Sequence, residues 1–138
     1  MPPRQRFPSG RFARSRTALT AVAAVVGAAT AAIAASPAQA APMSTPQMIA
    51  QRMIPDAGQF TAFSDVVSHE SGWNPRAVNP SSGAYGIGQA LPATSMASAG
   101  PHWRTDAATQ IKWTLNYMNS RYGSPEAAWA FWQQHHWY

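Results

Sequence analysis

The chain has 138 residues, ten basic against five acidic, a net charge of +5 and no cysteine. The length suits one domain, and the missing cysteine excludes both a disulfide-stapled core and thiol chemistry. The charge excess sits in Arg4, Arg6, Arg11, Arg14 and Arg16. From residue 41 onward, five bases (Arg52, Arg76, Arg104, Lys112, Arg121) balance five acids (Asp56, Asp65, Glu70, Asp106, Glu126), which leaves almost nothing for a basic nucleic-acid groove.

Residues 1–17 are Arg-rich, and residues 18–35 are uncharged and mostly alanine. Ser36-Pro37-Ala38-Gln39-Ala40 then ends on Ala-x-Ala. This three-part order predicts a secretory signal peptide cleaved after Ala40. No two arginines are adjacent, so the general export route is expected rather than the twin-arginine one. The competing reading is a retained anchor, since the stretch is about long enough to cross a bilayer. Its few large apolar residues and the cleavage-like site that follows favour the signal peptide. A membrane is then met only during export.

Residues 41–46 carry two prolines and read as a linker. Gln47–Ile54 is expected to form a short helix stopped by Pro55. Gln59–Glu70 is a stronger helix, with Phe60, Phe63, Val67 and Glu70 at spacings of three, four and three, and Val66 widening the stripe. Residues 72–90 hold four Gly, two Pro and two Asn, which predicts a loop with tight turns or one short hairpin. Pro92–Ala99 is expected to be a short helix ended by Gly100-Pro101. Ala108, Ile111, Leu115, Met118 and Tyr122 mark a helix over Asp106–Tyr122, with Gly123 as its left-handed stop. Ser124-Pro125-Glu126 opens a last helix carrying Trp129, Phe131 and Trp132. The fold class is mainly α. All six Trp and all four Tyr lie after residue 70, more aromatic material than so small a core needs.

The apolar stripe ends on a carboxylate. Burial disfavours the charged form of Glu70 and raises its pKa, and a carboxyl group protonated near neutral pH is a general acid. A Gly-rich loop follows, which lets backbone approach a ligand closely. These features fit cleavage of a glycosidic bond. A solvated Glu at a helix end, or one paired with Arg76, fits the periodicity equally well.

The run Glu70-Ser71-Gly72-Trp73-Asn74-Pro75, followed by Ser82-Gly83-Ala84-Tyr85-Gly86-Ile87-Gly88-Gln89 and then Pro92, resembles the catalytic segment of the lytic transglycosylases of the lysozyme-like superfamily. The resemblance covers roughly residues 47–138. The segment from Ala127 to Tyr138 is similar to a compact variety of this domain in actinobacterial secreted proteins and phage tail proteins. The resemblance implies a small α+β lysozyme-like domain whose Gly-rich loop or hairpin lies beside a catalytic cleft. It implies Glu70 as catalytic acid, Ser71 as a residue that supports the catalytic Glu and binds the substrate, Gln89 as a substrate-binding glutamine, and Gly83 and Gly86 as substrate-side backbone positions; Ser71 could equally be a helix-end cap. Tyr85 lies in the same loop and is expected to touch sugar. Asn74-Pro75 is expected to fix the turn after the helix.

One position departs from the pattern. Many members carry a late Ala-Tyr-Asn-Ala-Gly segment whose Tyr hydrogen-bonds the catalytic Glu, whereas this chain has Ala128-Trp129-Ala130-Phe131. Indole only donates, so a Trp is not expected to replace that phenol. Tyr117, Tyr138 and His136 are the candidates to tune Glu70, and the sequence does not rank them.

Ordinary glycosidases use two carboxyl groups about 5–5.5 Å or about 6.5–9.5 Å apart. Asp65 lies about 140° round the helix from Glu70, Asp56 precedes it, and Asp106 and Glu126 sit at expected helix starts. The resemblance implies chemistry by one carboxyl: Glu70 protonates the oxygen between N-acetylmuramic acid and N-acetylglucosamine, then takes the proton of the muramic C6 hydroxyl, leaving a 1,6-anhydro end. The implied partner is the peptidoglycan glycan strand, and the implied location is extracellular, at the cell wall. No cofactor, metal or nucleic acid is expected, and the chain is read as a monomer. His69-Glu70 does not open a zinc-protease motif, because Trp73 stands where the second His belongs. A lysozyme-type hydrolase and a non-catalytic wall-binding module remain the alternatives.

Overall fold

The computed structural model describes residues 41–138, so the signal-peptide segment at residues 1–40 lies outside the described residues. Four α-helices follow in order: α1 Thr45–Met53, α2 Ala57–Ser71, α3 Ala107–Tyr122 and α4 Pro125–His135, with a 3₁₀ turn at Ala93–Ser98. Among the described residues no helix is long and apolar enough to cross a membrane.

The helix starts follow capping chemistry. Asp56 accepts from Gln59 N at 2.8 Å, Asp106 from Thr109 N at 2.9 Å, and Ser124 from Ala127 N at 3.1 Å. Asp106 is held below the usual carboxylate range, first by the Thr109 hydroxyl. Helix α1 begins two residues before its expected start, at Thr45. Pro46 lies in its first turn, where the missing N–H would have no partner anyway. At the other end of α2, Gly72 takes a left-handed conformation, φ 58°, and its N–H closes on Ser68 O.

Helix α2 packs along α4, and α3 packs against α1 and α4. The core between them holds Phe63, Val66 and Val67 from α2, Ile111 and Met118 from α3, Ala128 from α4, and Ile87 from the loop. Each large apolar side chain so buried contributes about 1.5–3 kcal/mol. A second cluster of Ala90, Met96 and Trp103, flanked by Tyr85, Ala93 and Trp113, sits under the 3₁₀ turn.

Two details sharpen the expected fold. Of the loop or short hairpin expected over residues 72–90, the structure shows a loop with isolated antiparallel bridges, Val78 with Tyr85 and Tyr85 with Ala90. Asn79 N donates to Ala84 O at 2.9 Å, and Asn79 Oδ1 accepts from both Ser81 N and Ser82 N, so its side chain shapes the reversal that holds Pro80. On α3, Ile111 and Met118 are fully buried as expected, but so are the polar Gln110 and Thr114, because that face receives the loop.

Candidate active site

Glu70 lies in the last turn of α2 and is half-buried. The indole of Trp132 donates to its Oε1 at 2.7 Å. The neighbouring His69 stacks on Trp132, centroids 4.3 Å apart, and on Trp129 at 5.6 Å, while Trp129 and Trp132 stack on each other at 5.3 Å. Burial pushes the Glu70 carboxyl up from its ordinary value, while the Trp132 hydrogen bond and the His69 charge pull partly against it.

The tuning partner is thus none of the three sequence candidates. Tyr117 stacks on Trp113 at 5.2 Å. His136 meets the Trp132 ring edge-on at 5.2 Å. Tyr138 donates to Gly88 O at 2.6 Å. The expectation that indole would not serve rested on its inability to accept, but a carboxylate needs only a donor.

Ser71 reaches across to the loop: its hydroxyl donates to Ile87 O at 2.7 Å. Gln110 Oε1 takes the N–H of the same residue at 2.8 Å, and its Nε2 donates to Pro75 O at 2.9 Å and Trp103 O at 2.8 Å. Both backbone groups of the buried Ile87 are therefore held by side chains, one from α2 and one from α3. Gly86 has φ 78°, and a Cβ there would lie 2.5 Å from Gln110 Oε1, so this position tolerates no side chain. Gly86 was expected on the substrate side; it is buried and faces α3. Its carbonyl instead accepts Gln89 Nε2 at 3.0 Å, joined by Ala77 O at 3.2 Å. Gly83 is exposed on the far turn, where its N–H closes on Asn79 O at 2.8 Å. Asn74 does shape the turn after α2, its Oδ1 accepting from Arg76 N at 2.9 Å.

Gln89 lines a small cavity of about 80 Å³ with Gly88, Leu91, Trp113, Tyr117 and Tyr138. Burial, then the negative charge of Glu70, raises the Tyr138 phenol well above its ordinary value, so it stays a donor to Gly88. Tyr85 is not in this cavity. It packs edge-on against Trp103 at 6.0 Å, and its hydroxyl donates to Arg104 O at 2.8 Å. Ser71, next to Glu70 in the chain, thus meets the loop at Ile87, two residues before Gln89, while Tyr85 packs on Trp103 and Gly83 sits on the far turn.

The other acids stand elsewhere. Asp56 and Asp106 cap helices, and Asp65 and Glu126 line an open groove between α2 and α4 with Trp129. Among the described residues no group of three or more His, Cys, Asp or Glu could hold a metal ion.

The family model of the transglycosylase SLT domain matches residues 56–133. The chain belongs to the transglycosylase SLT domain family. It is similar to the probable transglycosylase IsaA of Staphylococcus haemolyticus (strain JCSC1435), 38% identical over 96 residues, which are 69% of this chain and 36% of that protein. Against the probable transglycosylase IsaA of Staphylococcus xylosus the identity is 35% over 95 residues, 69% of this chain and 35% of that protein. The chain thus spans about a third of the length of these curated relatives. No solved structure matches it. The SLT span takes in α2, the whole loop and Trp132. Two residues of this span escaped the sequence reading. Gln110 was legible only as an off-stripe polar residue, and Trp132 was read with the core.

Proposed function

We propose that this SLT domain is a lytic transglycosylase of peptidoglycan, and that Glu70 alone serves as its acid and base. The observation that carries the reading is the state of Glu70. It is half-buried with a raised pKa, and the groups acting on it are an indole donor and a histidine, with no carboxylate among them. A protonated carboxyl of this kind delivers a proton to the bridging oxygen between N-acetylmuramic acid and N-acetylglucosamine. The C1–oxygen bond breaks with its electron pair on that oxygen. The muramic C6 hydroxyl closes on C1 and returns its proton to Glu70, so no water is consumed and the acid is regenerated.

In this reading Ser71 holds the Gly86–Gly88 backbone against the end of α2. Gln89, whose Nε2 is committed to backbone, offers its Oε1 to a sugar hydroxyl or amide. Tyr85 and Gly83 shape the loop rather than the glycan contact. Residues 1–40 act as the export signal, and the exported domain works at the cell wall.

Mass spectrometry of muropeptides released by the purified protein tests the reaction. The expected products carry 1,6-anhydro muramic ends. Reducing muramic ends alone would make the domain a hydrolase, and no release at all would make it a binding module.

A further inference from the structure

We propose that Trp132 is a positioning residue that fixes the proton of Glu70 on a single oxygen, Oε2, for both halves of the reaction. This inference rests on the proposed role of Glu70 as acid and base, and it begins from the hydrogen bond between Trp132 Nε1 and Glu70 Oε1, 2.7 Å long.

An indole nitrogen carries a hydrogen and has no lone pair to offer, so it donates in every protonation state. In a protonated carboxyl group the carbonyl oxygen is a much better acceptor than the hydroxyl oxygen. The indole hydrogen bond to Oε1 therefore favours Oε1 as the carbonyl oxygen and the hydrogen on Oε2. A phenol in the same place could rotate its hydrogen away and accept from Glu70, leaving either oxygen free to carry the proton. The indole removes that choice.

The ring is well held for this task. Trp132 is parallel to His69 and Trp129 within 26° and 19°, and His136 closes on its edge at 87°. Among the described residues no other side chain donates a hydrogen bond to Glu70. The titratable groups around it are His69 on α2, Tyr122 at the end of α3, and His136 and Tyr138 after α4. The two phenols lie within reach of the Glu70 charge.

The consequence is a one-oxygen shuttle. Oε2 gives its proton to the bridging oxygen while the C1–oxygen bond breaks. Oε2 then takes the proton from the C6 hydroxyl as the new C1–O6 bond forms. Oε1 keeps the indole hydrogen bond throughout, and that bond strengthens when Glu70 is ionised, the state between the two steps.

The test replaces Trp132 with 3-benzothienylalanine, which keeps the bicyclic ring and its stacking but puts sulfur where the N–H was. Trp132→Phe is the encodable companion. Glu70 must be protonated to start the reaction, so activity falls as pH rises through its pKa. Without the N–H the ionised form loses a donor and holds its proton more tightly. The high-pH limb of kcat/KM on cell walls should move up by about one pH unit, and kcat should fall at least tenfold while KM changes little. The carboxyl titration of Glu70, followed by carbon-13 NMR, should move the same way. An unmoved titration in a folded benzothienylalanine protein overturns the proposal, because a merely structural Trp132 would lower stability alone. The titration needs no turnover: if the unaltered protein releases no muropeptides, the reading of its function fails, while the NMR result still decides the role of Trp132.

Discussion

Gln110 and Ile87 meet through one buried hydrogen bond, 2.8 Å from the Ile87 amide to the Gln110 side-chain oxygen. Gln110 is fully buried, and its two remaining bonds, to the carbonyls of Pro75 and Trp103, tie the loop at both ends to α3. Removing it strands one donor and two acceptors. Each stranded buried group costs about 1–3 kcal/mol. Gln110→Ala should therefore destabilise the domain by at least about 3 kcal/mol in urea unfolding. A loss below about 1 kcal/mol would mean that water replaces all three bonds.

Gly86→Ala should be nearly as harmful for so small a change. The methyl group meets Gln110 where φ is already 78°. Strain at such a position costs about 1–3 kcal/mol, and displacing Gln110 adds to it. The expected result is a lower melting temperature together with lost activity. Tolerance of alanine without loss of either would refute the close packing of the loop on α3.

Glu70→Gln separates activity from stability. On the proposed reading, loss of the general acid should reduce muropeptide release at least about 100-fold. Stability should move the other way. Folding raises the Glu70 pKa, so the folded state holds this proton more tightly than the unfolded chain does. Stability is therefore lost as pH rises from the ordinary carboxyl value through the folded one. The glutamine variant should melt with the parent at the acid end of that window and above it at neutral pH. Melting curves collected across that window check the sign; a variant less stable at neutral pH would contradict it.

Tyr138→Phe deletes the hydroxyl that holds Gly88 O at 2.6 Å. The loss should be about 1–2 kcal/mol in stability. Because Gly88 precedes Gln89 and both line one cavity with Tyr138, KM for cell walls should rise more than kcat falls. Equal effects on both would place Tyr138 in the chemistry instead.

The helices were legible because their punctuation is local. Periodicity marks α2 and α3, Gly123 marks the end of α3, and Ser124-Pro125-Glu126 marks the start of α4; the Asp56 cap and the Gly72 stop of α2 follow the same chemistry. Glu70 was legible twice, as the polar end of an apolar stripe and through the motif around it. Ser71 was legible as a support for Glu70 and the substrate or as a helix-end cap; that it reaches Ile87, sixteen residues on, is a matter of tertiary geometry. Gln110 and Trp132 were not legible for the same reason, since their partners lie 23 and 62 residues away in sequence. The loop over residues 72–90 was legible from its Gly, Pro and Asn content.

Among the described residues, three non-glycine residues hold left-handed backbone: Trp73 just after α2, Gln89 at the loop end and His136 before the aromatic tail, with φ of 65°, 49° and 59°. Such conformations survive only where their surroundings over-determine them; Trp73 follows Glu70 by three residues, His136 closes on the edge of Trp132, and Gln89 is held by Ala77 and Gly86. On the proposed reading, the surface that meets a glycan is then already shaped, and the entropy of ordering it is spent at folding rather than at encounter. Binding of a glycan oligomer to the Glu70→Gln protein should accordingly proceed in a single fast phase, without a slow closing step.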